Sequence, residues 1–105
     1  MDVDILFFND CPNSAAALAR VHEAVEITGV AAKVRMIEIR GAEDAIARRF
    51  LGSPTVRIDG RDIEHEASLR KDYGFMCRTY RASDGSASGA PSVQLIVAAI
   101  KAAVA

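Results

Sequence analysis

The sequence contains two cysteines, and one of them, Cys11, occupies a position that favours reactivity. It follows a short apolar run that predicts a buried strand, and Pro12 after it is favoured at the first position of a helix. A thiol at a helix N-terminus faces unpaired N–H groups and the positive end of the helix dipole, which both favour the thiolate. We expect the hydroxyl of Ser14 to donate a further hydrogen bond to it. A thiolate is the nucleophile of thiol–disulfide exchange, so the position predicts that Cys11 is a catalytic nucleophile.

A structural role for Cys11 is the alternative that the residues leave open. Free cysteine is among the most buried residue types and often serves as a small hydrophobic side chain. The carboxylate of the adjacent Asp10 also opposes formation of a thiolate. The second cysteine, Cys77, is flanked by Arg78 and Arg81. These arginines are expected to stabilise a thiolate or an anionic substrate, or else to form surface ion pairs.

The first half of the chain alternates between predicted strands and helices. The apolar run at residues 3–8 predicts a strand, and apolar residues spaced by three and four predict a helix from Pro12 to Gly29. A second strand is predicted at residues 33–39, followed by a short helix at residues 42–50. The residues expected to face the core from the two helices are Leu18, Val21, Val25 and Thr28, and Ala45, Ile46 and Phe50.

The second half of the chain begins with a hairpin signature. Two short apolar runs, at 55–58 and 61–63, flank the Asp59-Gly60 pair typical of a tight turn. Residues 64–90 lack clear periodicity, and the small, polar stretch at 82–90 is expected to be a mobile loop. The last helix is predicted at Val93–Val104. Its expected inner face consists of Val93, Ile96, Val97, Ile100 and Val104.

These elements give the order β-α-β-α-β-β-α in one domain that spans residues 1–105. A strand followed by Cys11-Pro12-Asn13-Ser14, and Ser53-Pro54-Thr55 before a hairpin strand, resemble the thioredoxin and glutaredoxin superfamily. The resemblance implies a thioredoxin-like three-layer α/β fold with a mixed four-stranded sheet and a long insertion at about 64–90 before the last helix. It also implies a cis peptide bond at Pro54 that places the backbone of Ser53 beside Cys11. A substrate would then contact Pro12, Ser53, Pro54 and Thr55.

A narrower resemblance covers two further stretches of the sequence, residues 52–60 and 74–81. They are similar to a group of small bacterial thioredoxin-like proteins, some of which are labelled as alkylmercury-lyase relatives. This likeness implies an alternative function, in which the thiolates of Cys11 and Cys77 hold a soft, mercury-type or copper-type ion. Cleavage of a carbon–mercury bond would also require a protonating carboxylate, for which Asp10 is the nearest residue in the sequence.

Ser14 stands where a dithiol oxidoreductase of the resembled superfamily has its second cysteine. The sequence therefore predicts either monothiol exchange or an atypical two-cysteine exchange with Cys77 as the resolving thiol. Alternatively, Cys77 packs with Phe75, Met76 and Tyr80. A third possibility is a binding module that retains the fold without the redox chemistry. Thiol exchange needs no organic cofactor, and the spacing of the histidines and cysteines matches no metal signature.

The charge balance of the chain limits its partners. Thirteen Lys and Arg residues face fourteen Asp and Glu residues, whereas nucleic-acid-binding domains usually carry a basic excess. The sequence starts with acidic residues and contains no apolar run long enough for a signal peptide or a membrane span. We therefore expect a cytoplasmic protein without nucleic-acid or membrane partners. Its expected partner is a thiol or disulfide protein or a low-molecular-weight thiol, and a homodimer stays open.

Overall fold

A mixed four-stranded sheet and three α-helices form the framework of the chain. The structure is a computed structural model and describes residues 1–82 and 84–105. Its elements are β1 (Asp2–Phe7), α1 (Ser14–Thr28), β2 (Lys33–Glu38), α2 (Ala42–Ala47), β3 (Thr55–Ile58), β4 (Arg61–Asp62), β5 (Tyr80–Arg81), β6 (Ala87–Ser88) and α3 (Val93–Val104). They follow the predicted order except for β5 and β6, two short strands that the sequence did not predict. None of the helices within the described residues is long and apolar enough to cross a membrane.

The four main strands lie in the order β2-β1-β3-β4. β1 runs parallel to β2, and β3 runs antiparallel to both β1 and β4. In the register of β1 and β3, Leu6 is opposite Thr55. The end of β1 and the start of β3 therefore lie at the same edge of the sheet. This edge receives Cys11, which follows β1, and the Ser53–Pro54 pair, which precedes β3.

The β3–β4 hairpin has the turn that the sequence predicts. Asp59 and Gly60 both adopt positive φ angles, 49° and 84°. Two such residues in succession match the right-handed twist of the flanking strands, and Asp-Gly is one of the few pairs that tolerate this conformation. The predicted antiparallel hairpin is therefore confirmed.

Hydrophobic residues pack on both faces of the sheet because side chains alternate along β1. Val3 and Ile5 point towards α1 and α3, whereas Leu6 belongs to a second cluster. The helices fill the first cluster with Ala17, Val21, Ala24, Ile96 and Ile100, and the second contains Ile39, Ala45 and Phe50. The sheet therefore lies between two hydrophobic layers.

The inner face of α1 differs from the predicted one. Val21 is fully buried, but its neighbours there are Ala17 and Ala24, while Leu18 and Val25 are only partly buried. Alanines have no bulk beyond Cβ, so they allow α1 to approach the sheet and α3 closely. The helix begins at Ser14 rather than Pro12, and Gly29 ends it in the left-handed conformation, as predicted.

The second helix is shorter than predicted, and two of its three predicted core residues, Ala45 and Phe50, are buried. It ends at Ala47, since Arg49 adopts a positive φ of 54°. The N–H of Phe50 then donates to the carbonyl oxygen of Ala45, which returns Phe50 to the core. The prediction that Ile46 faces the core is wrong, because this residue is 61% exposed.

The last helix has the predicted bounds. Ser92 is its N-cap, and the Ser92 hydroxyl oxygen accepts a hydrogen bond of 3.1 Å from the N–H of Leu95. Ile96 and Ile100 are fully buried. The prediction that Val104 faces the core is wrong, because all of residues 101–105 are exposed and the last turn does not pack on the sheet.

Residues 64–90 are more regular than the sequence suggests. A 3₁₀ helix spans His65–Leu69, and β5 and β6 pair as a small antiparallel hairpin. The predicted loop at 82–90 therefore contains a strand, although Ser83 within it lies outside the described residues. Tyr80 at the start of the hairpin belongs to the main hydrophobic cluster. The insertion is thus anchored to the core and reaches the edge of the sheet that holds Cys11.

Candidate thiol site

Cys11 lies in the turn between β1 and α1. Its thiol is free, and the residue is 7% exposed. The Cys11 N–H donates a 3.2 Å hydrogen bond to the carbonyl oxygen of Phe8, which fixes the turn to the end of β1. The helix starts three residues later, with Asn13 as its N-cap. The Asn13 side chain makes no capping hydrogen bond, so it leaves the N–H groups of the first turn for other partners.

Ser14 has a different role from the predicted one. Its hydroxyl donates a 3.1 Å hydrogen bond to the backbone carbonyl oxygen of Cys11, not to the sulfur. Serine hydroxyls commonly bond to a carbonyl three or four residues earlier when a turn leads into a helix. The prediction that Ser14 donates to the thiolate is therefore wrong, and this hydroxyl stabilises the turn that holds Cys11.

Ser53 and Pro54 lie at the same edge, as the resemblance implies. The peptide bond between them is cis, which confirms that prediction. Both residues are buried, and the Ser53 Oγ accepts a 3.3 Å hydrogen bond from the N–H of Phe8. Since the Phe8 carbonyl oxygen accepts from Cys11, Phe8 links Ser53 to Cys11 through its two backbone groups.

The other two predicted substrate contacts, Pro12 and Thr55, differ in their exposure to solvent. Pro12 is exposed next to Cys11. Thr55 is completely buried, and its hydroxyl donates a 2.6 Å hydrogen bond to the carbonyl oxygen of Gly52. Thr55 also accepts a hydrogen bond from Arg78, so its side chain is occupied within the protein. Ser53, Pro54 and Thr55 are all buried, which contradicts the predicted contacts of these side chains with a substrate; of the four predicted contacts only Pro12 is exposed.

Cys77 pairs with Ser53 through the backbone. The Ser53 N–H donates to the carbonyl oxygen of Met76 at 2.8 Å, and the N–H of Arg78 donates to the Ser53 carbonyl oxygen at 3.0 Å. These two bonds form a parallel bridge between Ser53 and Cys77. The Cys77 thiol is free and exposed, whereas Tyr80 is buried in the core. The predicted alternative that Cys77 packs in a cluster with Tyr80 is therefore wrong.

Burial along this segment alternates as in a strand. Arg78 and Tyr80 are buried, while Phe75 and Cys77 are exposed to solvent. The Phe75 ring contacts Phe8, with a distance of 4.8 Å between the ring centroids. Cys77 is therefore two residues from a side chain that contacts Phe8, the residue after β1.

Arg78 anchors the segment from its inner face. Its side chain is fully buried and forms ion pairs with Asp62 at 2.6 Å and with Glu64 at 2.9 Å. The guanidinium also donates to the Thr55 hydroxyl and lies 4.6 Å from the ring centroid of Tyr80. Both predicted roles for Arg78 are wrong: it forms neither a surface ion pair nor a contact available to a thiolate or an anionic substrate.

The environment fixes the protonation states of Arg78 and Tyr80. Burial by itself would lower the pKa of Arg78, but the hydrogen bond to Asp62 and the nearby negative charges raise it above its usual value. Burial raises the pKa of Tyr80 well above its ordinary value near 10, and the cation of Arg78 only partly opposes this. Tyr80 is therefore a neutral phenol that donates a 2.6 Å hydrogen bond to the carbonyl oxygen of Pro54.

Two glycines permit close contacts around the site. Gly52 has a φ of 116°, and a Cβ there would lie 2.9 Å from the Cβ of Arg78 and 3.0 Å from its backbone nitrogen. Gly89, after β6, lies so close to the Asn13 side chain that a Cβ there would overlap the amide group. The insertion thus packs against the site on two sides, through residues 74–78 near Ser53 and through Gly89 near the start of α1.

Four residues of the site were not predicted from the sequence: Phe8, Asn13, Asp62 and Glu64. The spacing of apolar residues does not identify buried polar side chains. Arg78, for example, takes an inward position that the spacing assigns to an apolar residue. No local pattern identifies the two carboxylates, because Asp62 and Glu64 lie 16 and 14 residues before Arg78 in the chain.

Other features of the described residues lie away from the cysteines. A cavity of about 490 Å³ is bordered by arginines of the α2 end and the β3–β4 hairpin, and neither cysteine lines it. No group of three or more His, Cys, Asp or Glu side chains within residues 1–82 and 84–105 is placed to hold a metal ion.

The chain matches none of the protein-family models, curated proteins or solved structures with which it was compared.

Proposed function

We propose that this protein is a thioredoxin-like thiol protein that carries out thiol–disulfide exchange through Cys11. The order and direction of the strands support the proposal, because β3 runs antiparallel to β1 and brings Ser53 to the edge that follows Cys11. The observation that carries it is the link through Phe8, whose backbone N–H and carbonyl oxygen bond to Ser53 and Cys11. This link fixes the turn that carries the nucleophilic thiol relative to the start of β3.

In the proposed reaction the Cys11 thiolate attacks one sulfur of a disulfide. One sulfur–sulfur bond breaks and another forms, so the products are a mixed disulfide on Cys11 and a released thiolate. The mixed disulfide is then resolved either by an external thiol or by Cys77. The backbone bridge between Cys77 and Ser53 supports the second route, since Ser53 is linked through Phe8 to Cys11.

The test is the reaction of the native chain with bis(2-hydroxyethyl) disulfide, followed by mass spectrometry of the peptides that contain each cysteine. We expect Cys11 in the folded protein to form the mixed disulfide faster than Cys11 in the urea-denatured chain, which gives the rate of an unactivated thiol. Cys11→Ser should abolish this product. A folded-state rate no higher than the denatured-state rate would refute the proposal and leave the binding-module hypothesis.

The same experiment separates the two routes of resolution. If Cys77 resolves the mixed disulfide, native protein accumulates a Cys11–Cys77 disulfide and Cys77→Ser accumulates the mixed disulfide instead. If an external thiol is needed, both proteins accumulate the mixed disulfide until such a thiol is added.

Soft-metal binding is the second candidate function, and the observation that favours it is that both thiols are free and both cysteines are linked to Ser53 through backbone groups, Cys77 directly and Cys11 by way of Phe8. Thiolates prefer soft ions such as Hg²⁺ and Cu⁺. Titration with Hg²⁺ should then give one ion per chain, with much weaker binding in both Cys11→Ser and Cys77→Ser. Equal binding by native protein and Cys77→Ser would exclude a site shared by the two cysteines.

A further inference from the structure

Residues 74–78 occupy both backbone hydrogen-bonding groups of Ser53. Its N–H donates to Met76, and its carbonyl oxygen accepts from Arg78. A peptide that is recognised in extended form adds as a strand to such an edge and bonds to the same two groups. At Ser53 this edge is already filled by the chain itself. We refer to residues 74–78 as the covering segment.

The covering segment is fixed at both ends. At its start, the Gly74 N–H donates a 3.0 Å hydrogen bond to the carbonyl oxygen of Phe50. At its end, the Arg78 side chain is fully buried and paired with Asp62 and Glu64. Displacing the segment would leave two carboxylates without their cation, which costs far more than a few new backbone hydrogen bonds with a peptide would return.

The remaining approaches to Cys11 are narrow as well. The Phe75 ring of the covering segment packs on Phe8, and Gly89 packs on Asn13 at the start of α1. Between these contacts Cys11 is 7% exposed. A reactant must therefore reach the sulfur with a small group and without pairing along the backbone of Ser53.

From this geometry we infer that the Cys11 site acts on low-molecular-weight thiols and disulfides and excludes extended polypeptides. The inference rests on the proposed thiol exchange and selects its substrate class. The chemical step is unchanged: the Cys11 thiolate attacks a small disulfide, the bond between its two sulfurs breaks, and the leaving thiolate takes a proton from water. The covering segment takes no part in the bond changes and acts by occupying the backbone edge.

The experiment compares two probes with the same sulfur chemistry in the native, full-length protein. One is bis(2-hydroxyethyl) disulfide, and the other is a short extended peptide whose single cysteine carries the same hydroxyethyl group through a disulfide. For the peptide probe only the Cys11 adduct that carries the peptide is counted, because attack on the other sulfur releases the peptide and leaves the hydroxyethyl group on Cys11. Each rate of adduct formation is divided by the rate in urea-denatured protein. Peptide attack requires the segment to open locally, so we expect the small probe to react faster by about tenfold or more.

Two variants test whether the covering segment causes this selectivity. Phe75→Ala removes the contact with Phe8, and the loss of one aromatic pair should raise the relative peptide rate by about two- to tenfold. Leu69→Ala is the control, because Leu69 is 82% exposed and lies outside the segment, and it should leave the ratio unchanged. Amide hydrogen exchange at Ser53 and Arg78 should accelerate in Phe75→Ala, which shows directly that the segment opens.

The outcomes separate this inference from the proposed function. If Cys11 reacts with neither probe faster than the denatured chain does, the proposed function fails. If it reacts equally fast with both probes, exchange at Cys11 stands and the selectivity is refuted. If amide exchange accelerates in Phe75→Ala while the ratio of rates stays constant, the covering segment is not what excludes peptides.

Discussion

The hydroxyl of Tyr80 donates a 2.6 Å hydrogen bond to the carbonyl oxygen of Pro54, and both residues are buried. Arg78, two residues before Tyr80, donates from its N–H to the carbonyl oxygen of Ser53, one residue before Pro54. The insertion therefore holds two consecutive carbonyl groups at the start of β3. It is part of the candidate site rather than a loop beside it.

Tyr80→Phe should lower the free energy of unfolding at pH 7 by about 0.5–1.5 kcal/mol, because the buried carbonyl oxygen of Pro54 loses its donor while the ring remains in the core. Urea denaturation measures this change. Phe75→Tyr is a suitable control, since the ring of Phe75 is 48% exposed and an added hydroxyl can reach water. A Tyr80→Phe variant as stable as the native protein would contradict an anchoring role for this hydrogen bond.

The same residue predicts a pH dependence at high pH. Burial raises the pKa of Tyr80 in the folded state above its value near 10 in the unfolded chain. A raised folded-state pKa means that the stabilising contribution is complete below pH 10 and is lost as the pH rises further, since the unfolded phenol ionises first. The free energy of unfolding should therefore fall more steeply above pH 10 in native protein than in Tyr80→Phe. Parallel slopes would show that Tyr80 ionises equally easily in both states.

Arg78→Met should be strongly destabilising. The substitution leaves the carboxylates of Asp62 and Glu64 without their buried cation, and breaking such a pair costs roughly 3–5 kcal/mol. Arg35→Met is the matched control: Arg35 pairs with Asp4 at 2.7 Å but its side chain is 47% exposed, so we expect a much smaller loss. Chemical denaturation of both variants checks the prediction, which fails if the two losses are equal.

The sequence predicted most of the framework because its elements have strong local signals. The Asp59-Gly60 turn needs two positive φ angles that this pair tolerates, and α3 spans Val93–Val104 as predicted. The errors lie where tertiary contacts override the pattern. Ile46 fits the apolar spacing of α2, but the helix ends at Ala47 and Ile46 is 61% exposed, whereas Phe50 is buried as predicted.

The site was predicted less completely, for a physical reason that Arg78 illustrates. Alternation of apolar and polar side chains through residues 76–80 would have indicated an extended segment. One of the inward positions holds an arginine instead of an apolar residue. Only the fold shows that Asp62 and Glu64 compensate this charge, because they lie 16 and 14 residues earlier in the chain. Cys11 and Ser53 could be placed at one edge by the directions of two strands, whereas the position of Cys77 depended on this buried ion pair.

Gly52→Ala should both strain the backbone and displace the covering segment. The φ of 116° at Gly52 is unfavourable for any residue with a Cβ, and that Cβ would lie 2.9–3.1 Å from three atoms of Arg78. Together these effects predict a loss of about 2–5 kcal/mol. Gly74→Ala is the control at the other end of the segment, where the nearest atom, the sulfur of Met76, is an ordinary 3.9 Å away. Equal unfolding midpoints for the two variants would rule out close packing at Gly52.

Ser14→Ala tests which atom of Cys11 the hydroxyl of Ser14 serves. A hydrogen bond to a charged group is worth about 1.5–3 kcal/mol, so removing a donor from the thiolate would slow alkylation of Cys11 at pH 7 by about tenfold or more. Because the hydroxyl donates to the carbonyl oxygen of Cys11, we expect the alkylation rate to change by only about twofold, through slight loosening of the turn. Ser92→Ala, which removes the cap of α3, controls for general loss of stability. A tenfold slower reaction in Ser14→Ala alone would instead assign the hydroxyl to the sulfur.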